Sequence, residues 1–131
     1  MKHIDGGVTA AQGFSASGIH CGIRKNKLKP DLALIFSDRE CSAAGVYTKN
    51  LVKGAPITVT KENIADGKAR AIICNSGIAN TCAPDGIEKA REMCQVAAGA
   101  LDIEPADVVC SSTGVIGPSL PIEPIAAGMP K

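Results

Sequence analysis

The segment Val108-Val109-Cys110-Ser111-Ser112-Thr113-Gly114-Val115-Ile116-Gly117 holds the residue types best suited to chemistry. An apolar run leads into hydroxyl side chains, then into glycine, then into a second glycine. Glycine lets the backbone approach a ligand closely, and a neighbouring hydroxyl supplies a second donor. Two such donors hold an oxyanion when a nucleophile stands opposite. The same residues also read as an ordinary strand-to-helix turn, since Ser, Thr and Gly are turn formers. Two nucleotide readings fail on spacing. No lysine follows the glycine as a phosphate loop requires, and the Gly-x-Gly-x-x-Gly fingerprint is absent.

A second polar segment is Asn75-Ser76-Gly77-Ile78-Ala79-Asn80. Its two asparagines could orient a substrate, or they could bond their own backbone in Asx-type turns. The chain offers little to activate a nucleophile. His3 and His20 are its histidines. His20 and Cys21 are sequence neighbours, which turns them to opposite sides of a strand. A partly buried strand histidine is therefore the simpler reading of His20. No Ser-x-x-Lys pair stands out, and the serines lack an evident base. The residues alone yield part of a site and no convincing nucleophile, so a missing half is the simplest explanation.

The elements that must position these residues follow from periodicity. Asp31–Ser37 is a compact apolar run between Pro30 and Asp38 and reads as a buried strand. Ala43–Tyr47 and Ile57–Thr60 read likewise, the latter being β-branched and following Pro56. Ala69–Cys74 is another, ending at the turn signal Asn75-Ser76-Gly77. Ile87, Ala90, Cys94, Ala97 and Leu101 recur at helical spacing. Asp85 and Glu88 make a capping-box pattern before them. Pro105 ends the helix, Asp107–Cys110 returns to strand, and a last helix starts near Pro121 or Glu123 and runs toward Met129. The opening to about Gly22 reads as a Gly- and Ala-rich stretch ahead of the first firm strand. This order predicts an α/β or α+β layered domain. The sequence stops at Gly128-Met129-Pro130-Lys131, as the last element should dock, which suggests that it continues or once did.

Composition excludes several classes. The 131 residues carry Lys+Arg 14 against Asp+Glu 13, a formal net charge of +1, which excludes a strongly basic nucleic-acid binder. A hydrophobic fraction of 45% excludes intrinsic disorder. The longest clear apolar run, Leu32–Phe36, falls well short of the about 18 residues of a membrane span. Met1–Gly7 has no apolar region of an export signal after its charge, so a cytoplasmic location is expected. The six cysteines, Cys21, Cys41, Cys74, Cys82, Cys94 and Cys110, include no Cys-x-x-Cys pair. They read as reduced, small buried hydrophobes rather than as disulfide partners or metal ligands.

Gly6-Gly7-Val8-Thr9-Ala10, Gly13-Phe14 and Gly18-Ile19-His20-Cys21-Gly22-Ile23 closely resemble the start of the ornithine acetyltransferase family, the bifunctional glutamate N-acetyltransferases of arginine biosynthesis. Asp31-Leu32-Ala33-Leu34-Ile35, Ala43-Ala44-Gly45-Val46-Tyr47-Thr48, Val52-Lys53, Ala55-Pro56 and Gly67–Ile72 follow in family order. Asn75-Ser76-Gly77, Ala79-Asn80 and Ser112–Gly117 complete the series, so the resemblance covers essentially the whole chain. Ile78 stands where the family commonly has a second Asn, Lys49 replaces a usual Thr, and Gly54 a usual Ala.

The resemblance implies an α/β layered fold shared with a group of self-cleaving aminopeptidases. It implies a precursor that cuts itself before a threonine, which then begins a β chain and is the nucleophile, its α-amino group serving as base. The present sequence stops before that junction, and before the family's Thr-Thr-Asp-Thr-like stretch. Residues 1–131 are then the N-terminal part of the α chain, a single incomplete domain. Thr113 and Gly114 match the family's oxyanion hole. The implied reaction moves acetyl from N-acetylornithine to the threonine and on to glutamate, with acetyl-CoA as a possible second donor substrate. No metal or bound cofactor is implied. The implied partners are the β chain, in an α2β2 assembly, with no nucleic acid and no membrane. Two rival readings remain: a non-catalytic orphan remnant acting as a binding or scaffolding module, and a thiol enzyme using one of the cysteines.

Overall fold

Alternate burial along Lys68–Ile78 sets the architecture. Ala69, Ala71, Ile73 and Asn75 are buried on one face of this strand, and the residues between them are not. The computed structural model describes residue 3 and residues 5–129. The parts of the Met1–Gly7 and Gly128–Lys131 readings that rest on residues 1, 2, 4, 130 and 131 lie outside them.

The sheet has four strands, β1 (Phe14–Ile19), β2 (Leu32–Ser42), β3 (Lys68–Ile78) and β4 (Val108–Val115), in the order β1-β2-β3-β4. β1 and β2, and β2 and β3, are antiparallel, while β3 and β4 are parallel. The parallel pair needs a crossover, which α2 (Gly86–Leu101) supplies. Leu34, Ile73 and Cys110 form one row across the sheet, and Phe36, Ala71 and Val108 the next. These rows pack beneath α1 (Ala55–Asn63) and α2 through Val59, Ala90, Met93, Cys94 and Ala97. The short α3 (Glu123–Gly128), with Leu120, Ile122 and Ile125, closes the end of this core. The opposite row, Ile35–Ile72–Val109, lies on the other face of the sheet, where Ile72 is 38% exposed.

The layered α/β class is as expected, and four local readings are corrected. Ile57–Thr60 is helix, not strand. Pro56 occupies the first turn, where its missing N–H costs nothing, and tertiary contacts of Val59 and Thr60 override their β-branched preference. Ala43–Tyr47 is irregular chain after a strand that runs through to Ser42 past a register shift between Phe36 and Cys41. The glycine-rich opening contains β1, whose small residues pair along β2. The capping box does not form, because the Asp85 carboxylate accepts the Ser119 hydroxyl instead of capping the helix.

Candidate functional site

The two polar segments singled out by their residue types are neighbours in space. By residue type both also read as turns, yet Asn75–Ile78 and Ser111–Val115 are strand, and they pair with each other. Asn75 stands opposite Ser112, Ser76 opposite Thr113, and Gly77 opposite Gly114. Mutual pairing gives each polar backbone the ladder partner that a turn would lack.

Gly77 has φ +120° and Gly114 φ +134°, a region that side chains rarely tolerate. A Cβ at Gly114 would overlap the Gly77 carbonyl, so glycine is required for the strands to meet here. A Cβ at Gly77 would stand 2.9 Å from Ile23 Cγ2 and 3.1 Å from Arg24 Cγ. The loop after β1, Gly77 and Gly114 are thus stacked in contact.

Among the described residues β4 is the sheet edge, paired with β3 alone. In a parallel ladder, alternate residues turn both backbone groups to the partner and the others turn theirs away. α1 identifies which. Thr60 Oγ1 donates to the Cys110 carbonyl at 3.0 Å and accepts from its N–H at 3.2 Å. Asn63 Nδ2 donates to the Val108 carbonyl at 2.8 Å. The Val115 carbonyl instead accepts from Ala79 N–H, on the β3 side, at 2.9 Å. Val108 and Cys110 therefore face outward, and continued alternation turns Ser112 and Gly114 outward too. α1 covers the first two positions and leaves the edge open beyond them. Gly114 is exposed, and on this alternation its N–H belongs to the open edge.

Thr113 is exposed, its hydroxyl 3.5 Å from Ser76 Oγ, so the bond between them is long and the hydroxyl is free to turn. A cleft of about 280 Å³ adjoins the open edge, lined by Tyr47, Pro56, Thr60, Thr81 and Ser112 among others. The hydroxyls of Tyr47 and Ser112 are shielded from solvent without a hydrogen-bond partner. Neither this cleft nor a larger one of about 860 Å³ at the start of α2 is lined by Thr113 or Gly114.

Both asparagines serve local structure. Asn75 Nδ2 donates to the Ile78 carbonyl at 2.9 Å, and Asn80 Nδ2 to the Gly86 carbonyl at 2.8 Å. Neither is brought to the open edge as a catalytic group. His20 and Cys21 do not turn apart on a strand. They lie past the end of β1 and converge on Asp31, with His20 Nδ1 3.1 Å from Asp31 Oδ2. Burial, then the adjacent Asp31 carboxylate, push the Cys21 thiol up to about 11, the opposite of a nucleophile's requirement. Burial raises Cys74, and a bond shared with Cys110 plus burial raises Cys94. Cys94 and Cys110 are buried as expected, whereas Cys82 is exposed.

Reading the residues alone missed two supports of this site. Thr60 was placed in a strand, and its bond to Cys110 spans fifty positions of sequence. Asp31 was read as the start of a strand, with no local sign of the cage described below.

The sequence profile of the ArgJ family matches residues 15–131. The Arginine biosynthesis bifunctional protein ArgJ of Caldanaerobacter subterraneus subsp. tengcongensis is 45% identical over 130 residues, 98% of this chain and 32% of that protein. The protein of the same name from Gloeobacter violaceus is 52% identical over 127 residues, 95% of this chain and 31% of its own length. The chain thus spans about a third of the length of these relatives. Two crystal structures superpose with TM-scores of 0.89. One is the Arginine biosynthesis bifunctional protein ArgJ of Bacillus halodurans, 45% identical, with 95% of this chain and 65% of that one covered. The other is the ornithine acetyltransferase of Mycobacterium tuberculosis complexed with ornithine, 39% identical, with 94% and 67% covered.

Proposed function

The chain belongs to the ArgJ family, and on that premise we propose that residues 1–131 are the N-terminal part of the α chain of an ornithine/glutamate acetyltransferase, a single incomplete domain. The nucleophile is a threonine at the start of a β chain that this sequence does not contain. Its hydroxyl attacks the acetyl carbonyl of N-acetylornithine. The carbonyl oxygen becomes an oxyanion, held by the Thr113 hydroxyl and the Gly114 N–H. Collapse breaks the C–N bond, and ornithine leaves with a proton on its amine. The amine of glutamate then attacks the acetyl ester, the same two donors hold the second tetrahedral intermediate, and its collapse breaks the ester C–O bond, giving N-acetylglutamate and returning a proton to the threonine oxygen. Acetyl-CoA is a second possible donor, its thioester carbonyl entering at the same place.

The observation that carries this reading is that Thr113 and Gly114 lie side by side, exposed, on a strand edge open beyond α1 and held against β3 by the Gly77–Gly114 contact. Oxyanion donors must be aimed before the charge forms, and a strand held by a ladder is a rigid support for them. The assembled enzyme is α2β2 and cytoplasmic in this reading. The orphan-remnant alternative fits the surface less well. Val46, Leu51, Val115 and Ile116 are strongly exposed, whereas a chain adapted to stand alone would carry polar residues at such positions.

The test is acetyl transfer from N-acetylornithine to glutamate by the intact two-chain enzyme and its Thr113→Ala variant. Turnover is expected to fall about 10²–10³-fold. Unchanged turnover would remove Thr113 from the site.

A further inference from the structure

The geometry points to Asp31 as a positioning residue for the oxyanion donors Thr113 and Gly114, acting through the loop 21–24 and Gly77, an inference that rests on the role of those two residues given above. Asp31 is 1% exposed and lies between Pro30 and β2. Its carboxylate accepts three loop amides: Cys21 N–H at 2.6 Å and Arg24 N–H at 2.7 Å, with Gly22 N–H at 3.3 Å. Its own N–H donates to the Ile19 carbonyl at 2.9 Å, and its carbonyl accepts from Ser76 N–H at 2.8 Å. One residue thereby ties the end of β1, the loop and the active end of β3.

The loop so held is the one that fills the space of the missing Gly77 side chain. Ile23 and Arg24 sit against Gly77, and Gly77 sits against Gly114. Gly77 is adjacent to Ser76, which Asp31 anchors, and Ser76 stands opposite Thr113. The carboxylate therefore holds the loop behind Gly77, and the Asp31 backbone carbonyl holds Ser76, neither touching substrate. Burial pushes the Asp31 carboxyl up, but the amide bonds from Arg24 and Cys21 outweigh it and hold the group below the usual carboxylate range. It is therefore ionised in the neutral range, where both oxygens accept from the loop.

Donor placement matters at the scale of an ångström, where a misplacement costs about 10²-fold in rate. Asp31→Asn keeps one acceptor oxygen and turns an NH₂ group toward the loop amides, so it loosens the cage while nearly preserving volume. Ile23→Ala leaves the cage intact and thins the wedge against Gly77. Both variants are made in the intact enzyme, and turnover is expressed per acetylatable site, so that unfolded protein does not count. We expect kcat to fall about 10²-fold in Asp31→Asn and about tenfold in Ile23→Ala, with KM for N-acetylornithine unchanged, because the donors act on the transition state. In the Thr113→Ala background the Asp31→Asn loss should shrink to about threefold, since coupled positions are not additive. If Asp31→Asn yields no folded enzyme, the Ile23→Ala kcat decides. A large Thr113→Ala effect with unchanged kcat in the Asp31 or Ile23 variant, or an Asp31→Asn loss undiminished in the double variant, overturns the positioning role alone. An unchanged Thr113→Ala rate overturns the oxyanion reading itself and this inference with it.

Discussion

A methyl group on Gly114 would occupy the place of the Gly77 carbonyl, and its φ of +134° already excludes ordinary side chains. Gly114→Ala must therefore push β4 away from β3 or twist the peptide that carries the proposed donor. Overpacking of this kind costs about 1–3 kcal/mol, and the backbone strain a similar amount. We expect Gly114→Ala to lower the denaturation midpoint of the intact enzyme as well as its turnover, whereas Thr113→Ala lowers turnover alone, the Thr113 side chain being exposed. Equal stability of the two variants in a denaturant titration would argue against the close approach. The residue types of Ser112–Gly117 made this site legible in part. The need for glycine at Gly114 was not legible, because it arises from Gly77 on another strand. The Asp31 cage was hidden for the same reason: its donors are backbone amides of a loop, and amides have no sequence signature.

At the scale of elements, α1 does two things for β4: it covers the helix-side core through Val59, and it caps the strand edge through Thr60 and Asn63. Thr60→Val keeps the shape and deletes the hydroxyl. Cys110 then has an unpaired buried N–H and carbonyl, a loss of about 2 kcal/mol. Thermal or denaturant unfolding of the intact enzyme measures it, and a loss under about 0.5 kcal/mol would show that the edge finds another partner, at the level of an ordinary surface substitution. The sequence read as a strand at Ile57–Thr60 because Ile, Thr and Val favour strands in isolation. α2 was legible because Ile87, Ala90, Cys94, Ala97 and Leu101 keep one periodicity over a long helix. β3 and β4 were legible only in their aliphatic halves. Their polar halves pair across the ladder, a long-range arrangement that turn-forming residue types conceal. β1 was concealed by its small residues, which gain their conformation from β2.

At the scale of the molecule, the sheet is covered by helices on one face and carries Ile35, Ile72 and Val109 in a row on the other. Val46, Leu51, Val115 and Ile116 are large apolar side chains that are also exposed. We expect the chain to self-associate when expressed alone, as read by light scattering on a sizing column, and to become a single defined species when made together with the β chain. A soluble, cooperatively folding monomer would favour the orphan-remnant reading. The central claim concerns one charge, the oxyanion held by Thr113 and Gly114, and the most direct measurement is its first formation. Intact enzyme and Thr113→Ala are mixed with N-acetylornithine in the absence of glutamate, and the burst of released ornithine is timed. The account predicts a burst of the same final size in both, with the variant's rate about 10²–10³-fold slower. A Thr113→Ala burst as fast as that of the unaltered enzyme would contradict it.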